Sequence, residues 1–306
     1  MKVINCSHTD WANFGYDNAM ALRSVGVDAE SLCMMKHKFN YKKASTIATA
    51  ETIRRKMREA DVVQIIHSYE DSLNCFIASK AKAKLIVYYS GSNYRNNPSG
   101  FNKLFNPLAD KSVIALGEFA GLGCKNEHYL VGAVDTDSIV PNYVEPNYYT
   151  IGHYPSSAEI KGTEEIRKMV GCLKNDTAFI FNCSTKLVDY QAQLKRLSEC
   201  DIYIELFNPS LNGKKYGSWG ITALEAAAIG KVVVTQNLSN DVYEKNYGDC
   251  PFILVSGRED FMNKVDGLLR LPYEKLLTLQ QETRQWAVEK HGYAATGKRI
   301  VETILI

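Results

Sequence analysis

Three loops that precede predicted helices carry residues suited to phosphate binding. They span residues 7–15, 151–162 and 215–230, and they contain Gly15, Lys161 and the sequence YGSWG, respectively. Backbone N–H groups at a helix N-terminus attract phosphate, and glycine lets the backbone approach a ligand closely. A lysine there could pair with a diphosphate. The loops therefore predict an anion site, although a turn glycine and a solvated surface lysine are the simpler interpretations of Gly15 and Lys161.

An acidic residue, Glu225, lies near the start of the Ala-rich helix predicted after the third loop. Its carboxylate has either a binding role or a structural one, because an acid near a helix N-terminus also stabilises the helix dipole. None of the three loops spells G-x-G-x-x-G, so the ordinary dinucleotide fingerprint is missing. The sequence therefore favours phosphate binding without the usual dinucleotide motif.

Short runs rich in β-branched and aromatic residues alternate with stretches of helical periodicity, which is typical of a parallel α/β sheet. Strands are predicted at residues 2–6, 29–34, 62–66, 84–89, 112–116 and 128–130, then at 149–153, 178–181, 202–206, 231–235 and 252–255. Helices are predicted at residues 16–25, 45–59, 163–173, 187–198, 222–229 and 260–269. The expected fold class is α/β, with two Rossmann-like lobes and a cleft between them.

The segment 140–146, which contains PNYVEP, interrupts the periodicity, and each proline restricts the residue before it to extended conformations. It is expected to link a first lobe, residues 1–146, to a second, residues 147–285. The chain after Pro272 is predicted to be helical, and residues 286–306 are expected to pack back on the first lobe.

Composition excludes several classes of protein. The 306 residues are 45% hydrophobic and 23% charged, with a net charge of +2, so neither disorder nor a strongly cationic nucleic-acid binder is indicated. No apolar run is long enough for a membrane helix, and the N-terminus does not resemble a secretory signal, so a cytoplasmic protein is expected. The eight cysteines stand singly, which favours reduced, mostly buried thiols over a metal site.

Several segments resemble retaining GT-B glycosyltransferases related to family 4. They are YGSWGITALEAAAIGKVVV (216–234), VDTDSIVP (134–141) and IGHYPSSAEIKGT (151–163), and YYSGSNYR (88–95) is similar to a His-Gly-Ser-Asp-x-Arg loop of some of these enzymes. The resemblance spans most of the chain in order. It implies two Rossmann-like lobes, a nucleotide-sugar donor held mainly by the second lobe, and an acceptor held mainly by the first.

The resemblance also implies roles for individual residues. Glu225 matches the second acid of the family's Glu-x7-Glu motif, which hydrogen-bonds the donor ribose, and Lys161 matches a phosphate-binding lysine. These two are the expected catalytic residues. Gly15 matches a loop glycine near the phosphates. The remaining donor-binding residues are expected to be His153, Tyr216, Gly217, Ser218, Gly220, Ile221, Thr222 and Ala223, of which the last three would offer backbone N–H groups to the diphosphate.

The sequence departs from the family pattern at several positions. Gly217 stands where the first acid is usual, which leaves the sugar open, although Tyr216, Ser218 or Glu205 could compensate. His153 stands near the place of an arginine. In the first lobe, Ser90 and Asn93 replace a histidine and an aspartate.

The acceptor side is expected to include two histidines near strand ends, for which a structural role is the alternative, and the loop around residue 90. A basic stretch with interleaved aromatic residues, KHKFNYKK, could grip phosphate and stack on bases, or could be a solvated loop. The acceptor-side residues are His8, His67, Ser90, Asn93, Arg95, Lys36, Lys38, Lys42 and Lys43. The acceptor could be a glycan, a lipid or a nucleic acid.

A lysine and a helix N-terminus would stabilise the departing nucleoside diphosphate without a metal ion. We therefore expect no metal and no cofactor beyond the nucleotide-sugar co-substrate. Asp135 and Asp137 spell D-x-D, the metal-binding pattern of another glycosyltransferase fold, but they match a linker segment of GT-B relatives instead. The alternatives are transfer to hydroxymethylated bases of DNA, a non-catalytic nucleotide-sugar-binding protein and a sugar-nucleotide epimerase.

Overall fold

The computed structural model describes residues 1–173, 178–211 and 213–306, which form two compact units. The first unit comprises Met1–Ala133 and His291–Ile306, and the second comprises Val134–Lys290. Each unit contains a parallel β-sheet with helices packed on it, which confirms the predicted α/β class with two Rossmann-like halves. None of the described helices is long and apolar enough to cross a membrane.

The first unit is built on a seven-stranded sheet. Its strands are β1 (Lys2–Thr9), β2 (Asp28–Met35), β3 (Thr46–Ile47), β4 (Val62–Ile65), β5 (Lys84–Tyr89), β6 (Lys111–Ile114) and β7 (Glu127–Tyr129). Its helices are α1 (Phe14–Ser24), α2 (Ala50–Arg58), α3 (Glu70–Ser79), α4 (Gly91–Asn96), α5 (Pro98–Phe105) and, from the C-terminal segment, the helix Tyr293–Arg299 followed by a π-helical turn at Ile300–Leu305.

The strands of this sheet are parallel and lie in the order β3-β2-β1-β4-β5-β6-β7. All four residues of β4 are buried, as expected for a parallel sheet that is covered on both faces. The order reverses between β1 and β4. In doubly wound sheets, ligands bind outside the carboxyl ends of the strands at such a switch point.

The second unit is built on a five-stranded parallel sheet and a two-stranded antiparallel one. Its strands are β8 (Tyr149–His153), β9 (Phe179–Cys183), β10 (Ile202–Leu206), β11 (Ser210–Leu211), β12 (Lys214–Lys215), β13 (Val232–Gln236) and β14 (Ile253–Val255). Its helices are α6 (Ala158–Lys161), α7 (Thr163–Gly171), α8 (Tyr190–Ser198), α9 (Ile221–Ile229), α10 (Asn240–Tyr247), α11 (Arg258–Leu269) and α12 (Tyr273–His291).

The five strands lie in the order β14-β13-β10-β8-β9, so the switch point of this sheet falls between β8 and β10. Strand β13, VVVTQ, is buried throughout, and Val232 and Val234 belong to the core of the unit. The segment 140–146, expected as a linker, lies within this unit. Asn142 donates to the carbonyl of Ser198, and Lys231 Nζ donates to the carbonyl of Asn142.

Most predicted elements lie within a few residues of their observed bounds, and the main difference concerns the predicted helix 45–59. Thr49 caps helix α2, since its hydroxyl accepts from Thr52 N at 3.3 Å, so the helix begins at Ala50. The preceding Thr46–Ile47 pairs with β2 as an edge strand. The cysteines are free, and five of the eight are buried, as expected.

The C-terminal helix, which we label α13 (Tyr293–Arg299), packs against α1 within the first unit. Gly297 permits this close approach, because a Cβ at this position would lie inside 3.0 Å of the Ala21 carbonyl oxygen. Tyr293 Oη also donates to Asp17 of α1 at 2.7 Å. Both contacts fix the chain end to the first helix of the sequence.

Candidate active site

The second unit brings a cation and a helix N-terminus to one carboxylate at its switch point. Lys161 ends α6, after β8, and its ammonium forms an ion pair with Glu205 of β10. Glu205 Oε1 also accepts from the backbone N–H of Gly220, at 3.1 Å, and Gly220 is the N-cap of α9. The side chain of Glu205 is 1% exposed. Two groups that would attract a phosphate thus converge on a single buried oxygen.

The carboxylate of Glu205 is charged in spite of its burial. Burial by itself raises its pKa, but the Lys161 ammonium, the N–H of Gly220 and the hydroxyl of Tyr203 together lower the pKa below the ordinary value. Tyr203 Oη donates to Oε2 at 3.2 Å. Glu205 is the charged residue in the otherwise uncharged buried strand IYIEL. From the sequence it was named only as a residue that could compensate for the absent first acid.

A left-handed glycine fixes the Lys161 loop to the end of β10. Gly162 has φ +71°, and a Cβ there would lie inside 3.0 Å of the Phe207 carbonyl oxygen. The N–H of Phe207 in turn donates to the carbonyl of Lys161, at 3.1 Å. The lysine is therefore held beside Glu205 by its own backbone as well as by charge.

His153 supports this loop, and both of its ring nitrogens form hydrogen bonds within the protein, so neither is left for a ligand. It is fully buried at the end of β8, Nδ1 donates to the carbonyl of Ile204 at 2.8 Å, and Nε2 accepts from the hydroxyl of Thr163 at 3.0 Å. Burial lowers its pKa to about 4. The expectation that His153 stands in for a phosphate-binding arginine is not supported by this geometry, because the ring is neutral and both nitrogens are engaged.

The N-terminus of α9 offers fewer N–H groups than the sequence predicted. The N–H of Gly220 is bonded to Glu205, and that of Ala223 donates to the carbonyl of Gly220 at 3.0 Å. Ile221 and Thr222, which are partly exposed, lie in the first turn, where backbone N–H groups have no partner within the helix. These two residues are the ones whose N–H groups can reach an anion.

Glu225 lies one turn farther into α9 and is 6% exposed. Burial raises its pKa to about 8, against a hydrogen bond from the side chain of Tyr190, and the charge of Glu205 adds to the rise. A carboxyl that is largely protonated at neutral pH both donates and accepts hydrogen bonds. Such a group suits neutral hydroxyls, including those of a ribose.

The loop before α9 is held by Gln236, at the end of β13. Its amide nitrogen donates to the carbonyls of Tyr216 and Gly217, and its amide oxygen accepts from Asn208 N at 2.6 Å. Gly217 has φ +106°, and a Cβ there would lie inside 3.0 Å of Gln236 Nε2. A side chain at this position, where the family usually has its first acid, would therefore displace the amide of Gln236. Gln236 was not singled out from the sequence.

The aromatic residues of this loop are anchored inside the unit. Tyr216 and Trp219 are 6% and 7% exposed, and the ring of Trp219 packs on Tyr243 and Phe252 at centroid distances of 5.2 and 5.1 Å. The hydroxyl of Ser218, between them, is thus buried without a hydrogen-bond partner among the described residues.

In the first unit, the carboxylate of Asp10 accepts hydrogen bonds from the backbone N–H groups at the N-terminus of α1. Asp10, which sequence reasoning missed, is 4% exposed and accepts from Gly15 N at 2.7 Å, from Tyr16 N at 2.9 Å and from the hydroxyl of Ser45 at 2.6 Å. Gly15 is buried, and its carbonyl accepts from Asn5. The N–H of Gly15, predicted to lie near phosphates, is therefore already used by Asp10.

His67 and Ser90 meet at the switch point of this sheet. The hydroxyl of Ser90 lies in hydrogen-bond contact with His67 Nδ1, and Nε2 donates to the carbonyl of Trp11 at 3.0 Å. Asp10 Oδ1 lies 3.8 Å from the same Nε2. Because Nε2 carries the proton, Nδ1 accepts from Ser90. His67 has φ +65°, a strained conformation of the kind that clusters at functional sites.

The other acceptor-side residues occupy three different settings. Arg95 is paired with Glu118, with Nε donating at 2.6 Å, and its guanidinium lies 5.5 Å from the ring of Phe119. His8 Nδ1 lies 2.9 Å from a carboxylate oxygen of Asp71. Asn93 is exposed on α4. Arg95 therefore has a structural ion pair, whereas Asn93 faces solvent.

The basic stretch 36–43 forms an exposed surface with an aromatic centre. His37 is buried, packs edge-on against Trp11 and Phe39 at centroid distances of 4.5 and 4.6 Å, and has its pKa lowered to about 4 by burial. Lys38 Nζ lies 5.5 Å from the ring of Trp11, which is 42% exposed. The lysines on this surface, which we call the basic patch, are Lys36, Lys38, Lys42 and Lys43.

Within the described ranges, no group of three or more His, Cys, Asp and Glu side chains is arranged to hold a metal ion. Asp135, the first acid of the D-x-D sequence, accepts from the N–H of Ser138 at 3.0 Å and closes a turn. This contact gives the carboxylate a local structural function.

No protein-family model and no curated protein sequence matches this chain. Solved structures match its fold over the whole length. HepE from Anabaena in complex with UDP-glucose aligns with a TM-score of 0.72, 12% identity and 100% of both chains. An alpha-glucosyltransferase in complex with UDP and a DNA 13-mer containing an HMU base aligns with a TM-score of 0.71, 11% identity and 100% of both chains. A glycosyltransferase from Rickettsia africae aligns with a TM-score of 0.65, 12% identity and 98% and 97% coverage. At these identities the shared feature is the fold, and the GT-B resemblance expected from the sequence is confirmed.

Proposed function

We propose that this protein is a retaining, metal-independent glycosyltransferase that moves a sugar from a nucleoside-diphosphate sugar to a hydroxyl group. The observation that carries the proposal is the convergence of Lys161 Nζ and Gly220 N–H on Glu205 Oε1 at the switch point of the second unit. A diphosphate gains negative charge as the sugar leaves, and preorganised positive groups stabilise that charge. Structures that share the fold include complexes with UDP and UDP-glucose.

In the proposed reaction, the bond between the anomeric carbon and the diphosphate oxygen breaks, and its electron pair stays with the diphosphate. Lys161 and the N–H groups of Ile221 and Thr222 stabilise the departing anion. The acceptor oxygen forms the new bond on the same face of the sugar, and its proton passes to the departing phosphate oxygen. Glu225 positions the donor through hydrogen bonds to the ribose, which its largely neutral carboxyl can donate and accept.

The donor site is tested by thermal shift and calorimetry with UDP-, GDP-, ADP- and TDP-sugars, with and without EDTA. We expect one nucleotide class to raise the melting temperature, since a ligand that binds only the folded state stabilises it. EDTA should leave the shift unchanged. Lys161→Ala should weaken donor binding by about tenfold or more, and Lys168→Ala, which removes an exposed lysine of α7, should not.

A different result would contradict each part of the proposal. If none of the donors raises the melting temperature, the protein has no nucleotide-sugar site. Loss of the thermal shift in EDTA would overturn metal independence, and a product with inverted anomeric configuration by NMR would overturn retention. Donor binding without hydrolysis or transfer would instead indicate a nucleotide-sugar-binding protein.

A second candidate is the same chemistry on hydroxymethylated bases of DNA. The observation that favours it is the basic patch, in which four lysines are exposed and Lys38 lies 5.5 Å from the exposed ring of Trp11. Lysines bind phosphates, and aromatic rings stack on bases. The proposal is supported by the alpha-glucosyltransferase of this fold that was solved in complex with UDP and DNA containing an HMU base. Transfer to a duplex containing 5-hydroxymethyluracil, lost when the patch lysines are changed to glutamate, would establish this candidate.

A further inference from the structure

Three large apolar side chains are exposed beside the basic patch. Trp11 is 42% exposed, Met35 is 54% exposed and Ile47 is 57% exposed. Met35 is the last residue of β2, Ile47 is the last residue of β3, and Trp11 follows the end of β1 by two residues. Single exposed apolar residues are ordinary, but a group of large ones at one edge of a sheet indicates an interaction surface.

The register of the sheet brings these three residues together. Met35 pairs with Thr9 of β1, which stands two residues before Trp11. Ile47 pairs with Cys33, which stands two residues before Met35, so the side chains of Met35 and Ile47 leave the sheet on the same face. Neighbouring strands lie about 4.7–4.9 Å apart, so the three side chains belong to one surface.

The lysines of the basic patch lie on the chain between Met35 and Ile47. All four are exposed, and the segment 35–47 contains no acidic residue, so it carries four positive charges and no negative one. Lys38 Nζ lies 5.5 Å from the ring of Trp11 and 5.6 Å from that of Phe39. Positive charge and exposed apolar area are therefore combined on the same surface.

A cluster of aromatic rings fixes the loop that carries these lysines. The buried ring of His37 packs against Trp11, Phe39 and Tyr41 at centroid distances of 4.5, 4.6 and 5.5 Å. Its Nδ1 also accepts from the backbone N–H of Phe39 at 3.1 Å. The loop thus has a defined conformation before any partner binds, which lowers the entropic cost of binding.

This combination of charge and apolar area favours an anionic membrane surface over a nucleic acid. Lysines are attracted to anionic headgroups, and tryptophan and aliphatic side chains enter the boundary between headgroups and acyl chains. Duplex DNA uses lysines equally well, but its backbone presents phosphates and sugars rather than hydrocarbon to side chains such as Met35 and Ile47. The exposed apolar residues are therefore the feature that distinguishes the two partners.

We propose that the basic patch, together with Trp11, Met35 and Ile47, is a docking surface for an anionic lipid bilayer. The lysines approach the headgroup phosphates, and the three apolar side chains enter the interface. The inference does not depend on the proposed function, because the docking residues belong to the first unit and the donor residues Lys161, Ile221, Thr222 and Glu225 belong to the second.

The test uses the full chain and sedimentation with vesicles of phosphatidylcholine, either alone or mixed with phosphatidylglycerol. We expect binding to the mixed vesicles only, and weaker binding at high salt, because salt screens exposed charges. The chain has three tryptophans, of which Trp219 and Trp286 are buried. A blue shift of tryptophan emission, together with quenching by brominated lipid, therefore measures the entry of Trp11 into the bilayer.

The double variant Met35→Gln/Ile47→Gln keeps every lysine and should weaken vesicle binding by about tenfold or more. Both side chains are exposed, and glutamine at position 35 keeps an acceptor for His8 Nε2, which lies 3.1 Å from the Met35 sulfur. Circular dichroism checks the fold. Ile77→Gln/Leu108→Gln is the matched control, because Ile77 and Leu108 are also exposed aliphatic residues of the first unit, outside the segment 35–47.

The inference is overturned if the protein does not sediment with the anionic vesicles, or if the folded double variant binds them as tightly as the control does. Sedimentation without quenching by brominated lipid would also overturn it, since the apolar side chains would then remain in water. Labelled duplex DNA is titrated in parallel by fluorescence anisotropy. Binding of the duplex without binding of the vesicles would assign the surface to a nucleic acid instead.

Discussion

Gly217 lies so close to Gln236 that a β-carbon at position 217 would fall inside 3.0 Å of the amide nitrogen. The same amide donates to the carbonyls of Tyr216 and Gly217, and its oxygen accepts from Asn208. Gln236 therefore fixes the loop that leads into α9, and glycine is required at position 217 by both φ and space.

Replacing Gly217 by alanine should destabilise the protein strongly. The left-handed backbone costs about 1–2 kcal/mol for a residue with a β-carbon, and the contact with Gln236 adds to it, so we expect more than about 3 kcal/mol in total. Gly213→Ala is the matched control, because Gly213 also has positive φ but has open space around it. Urea unfolding that gives equal losses for both variants would show that Gln236 does not matter.

The pair of Lys161 and Glu205 should show a large coupling energy. Lys161→Met leaves the buried carboxylate of Glu205 without its cation, and breaking such a pair costs about 3–5 kcal/mol. Glu205→Gln in the same background removes the unpaired charge and should restore much of the loss, because a glutamine oxygen still accepts from Gly220 N. The four free energies of unfolding form a double-mutant cycle, and a coupling below about 0.5 kcal/mol contradicts the pairing.

Glu225 should make stability fall as the pH rises. In the unfolded chain its pKa is near 4.5, and in the folded chain burial raises the pKa to about 8. The folded protein therefore keeps an extra proton between these values. The stabilisation that this extra proton provides is complete below pH 4.5 and is lost as the pH rises through 8.

The comparison that isolates this effect is wild type against Glu225→Gln. We expect the stability of the variant, relative to wild type, to increase between pH 5 and pH 8, since glutamine does not ionise. Urea unfolding at pH 5, 6.5 and 8 gives the difference at each pH. A difference independent of pH would mean that Glu225 ionises normally in the folded protein.

The packing of α13 on α1 should depend on Gly297. A methyl group at this position would collide with the carbonyl oxygen of Ala21, so Gly297→Ala should lower the free energy of unfolding by about 2 kcal/mol or more. Gly267→Ala, in α11, has open space around the new methyl group and should instead stabilise by about 0.5–1 kcal/mol. Equal effects at the two positions would contradict the close approach of the two helices.

Changing Lys36, Lys38, Lys42 and Lys43 together to glutamate should spare donor hydrolysis but abolish any affinity for duplex DNA. The patch lysines are exposed, so the fold should tolerate the change. A control with the same change in net charge replaces four exposed lysines elsewhere in the unit, Lys82, Lys84, Lys103 and Lys125. Loss of donor hydrolysis in the folded patch variant, but not in the control, would show that the patch does not belong to the acceptor side.

Periodicity and composition were sufficient to predict the α/β class, most strands and the two halves, because strands of a buried parallel sheet read as continuous apolar runs. Lys161 and Glu225 were predicted from local motifs, since a lysine or an acid beside a helix start is visible in the sequence. The structure then brought Lys161 to Glu205, which stands 44 residues away in the chain. No local pattern encodes that distance.

The sequence by itself determined the fold class and most of the strands, because hydrophobic period acts over a few residues, whereas helices α3, α5 and α10 were not predicted. Only the tertiary structure decided which polar groups are already used. In the folded protein the N–H of Gly15 donates to Asp10, and both ring nitrogens of His153 form hydrogen bonds in the core. The amide of Gln236 occupies the space beside Gly217. These outcomes depend on contacts between distant strands, and burial, which shifts the pKa of Glu225, exists only once the strands and helices have packed.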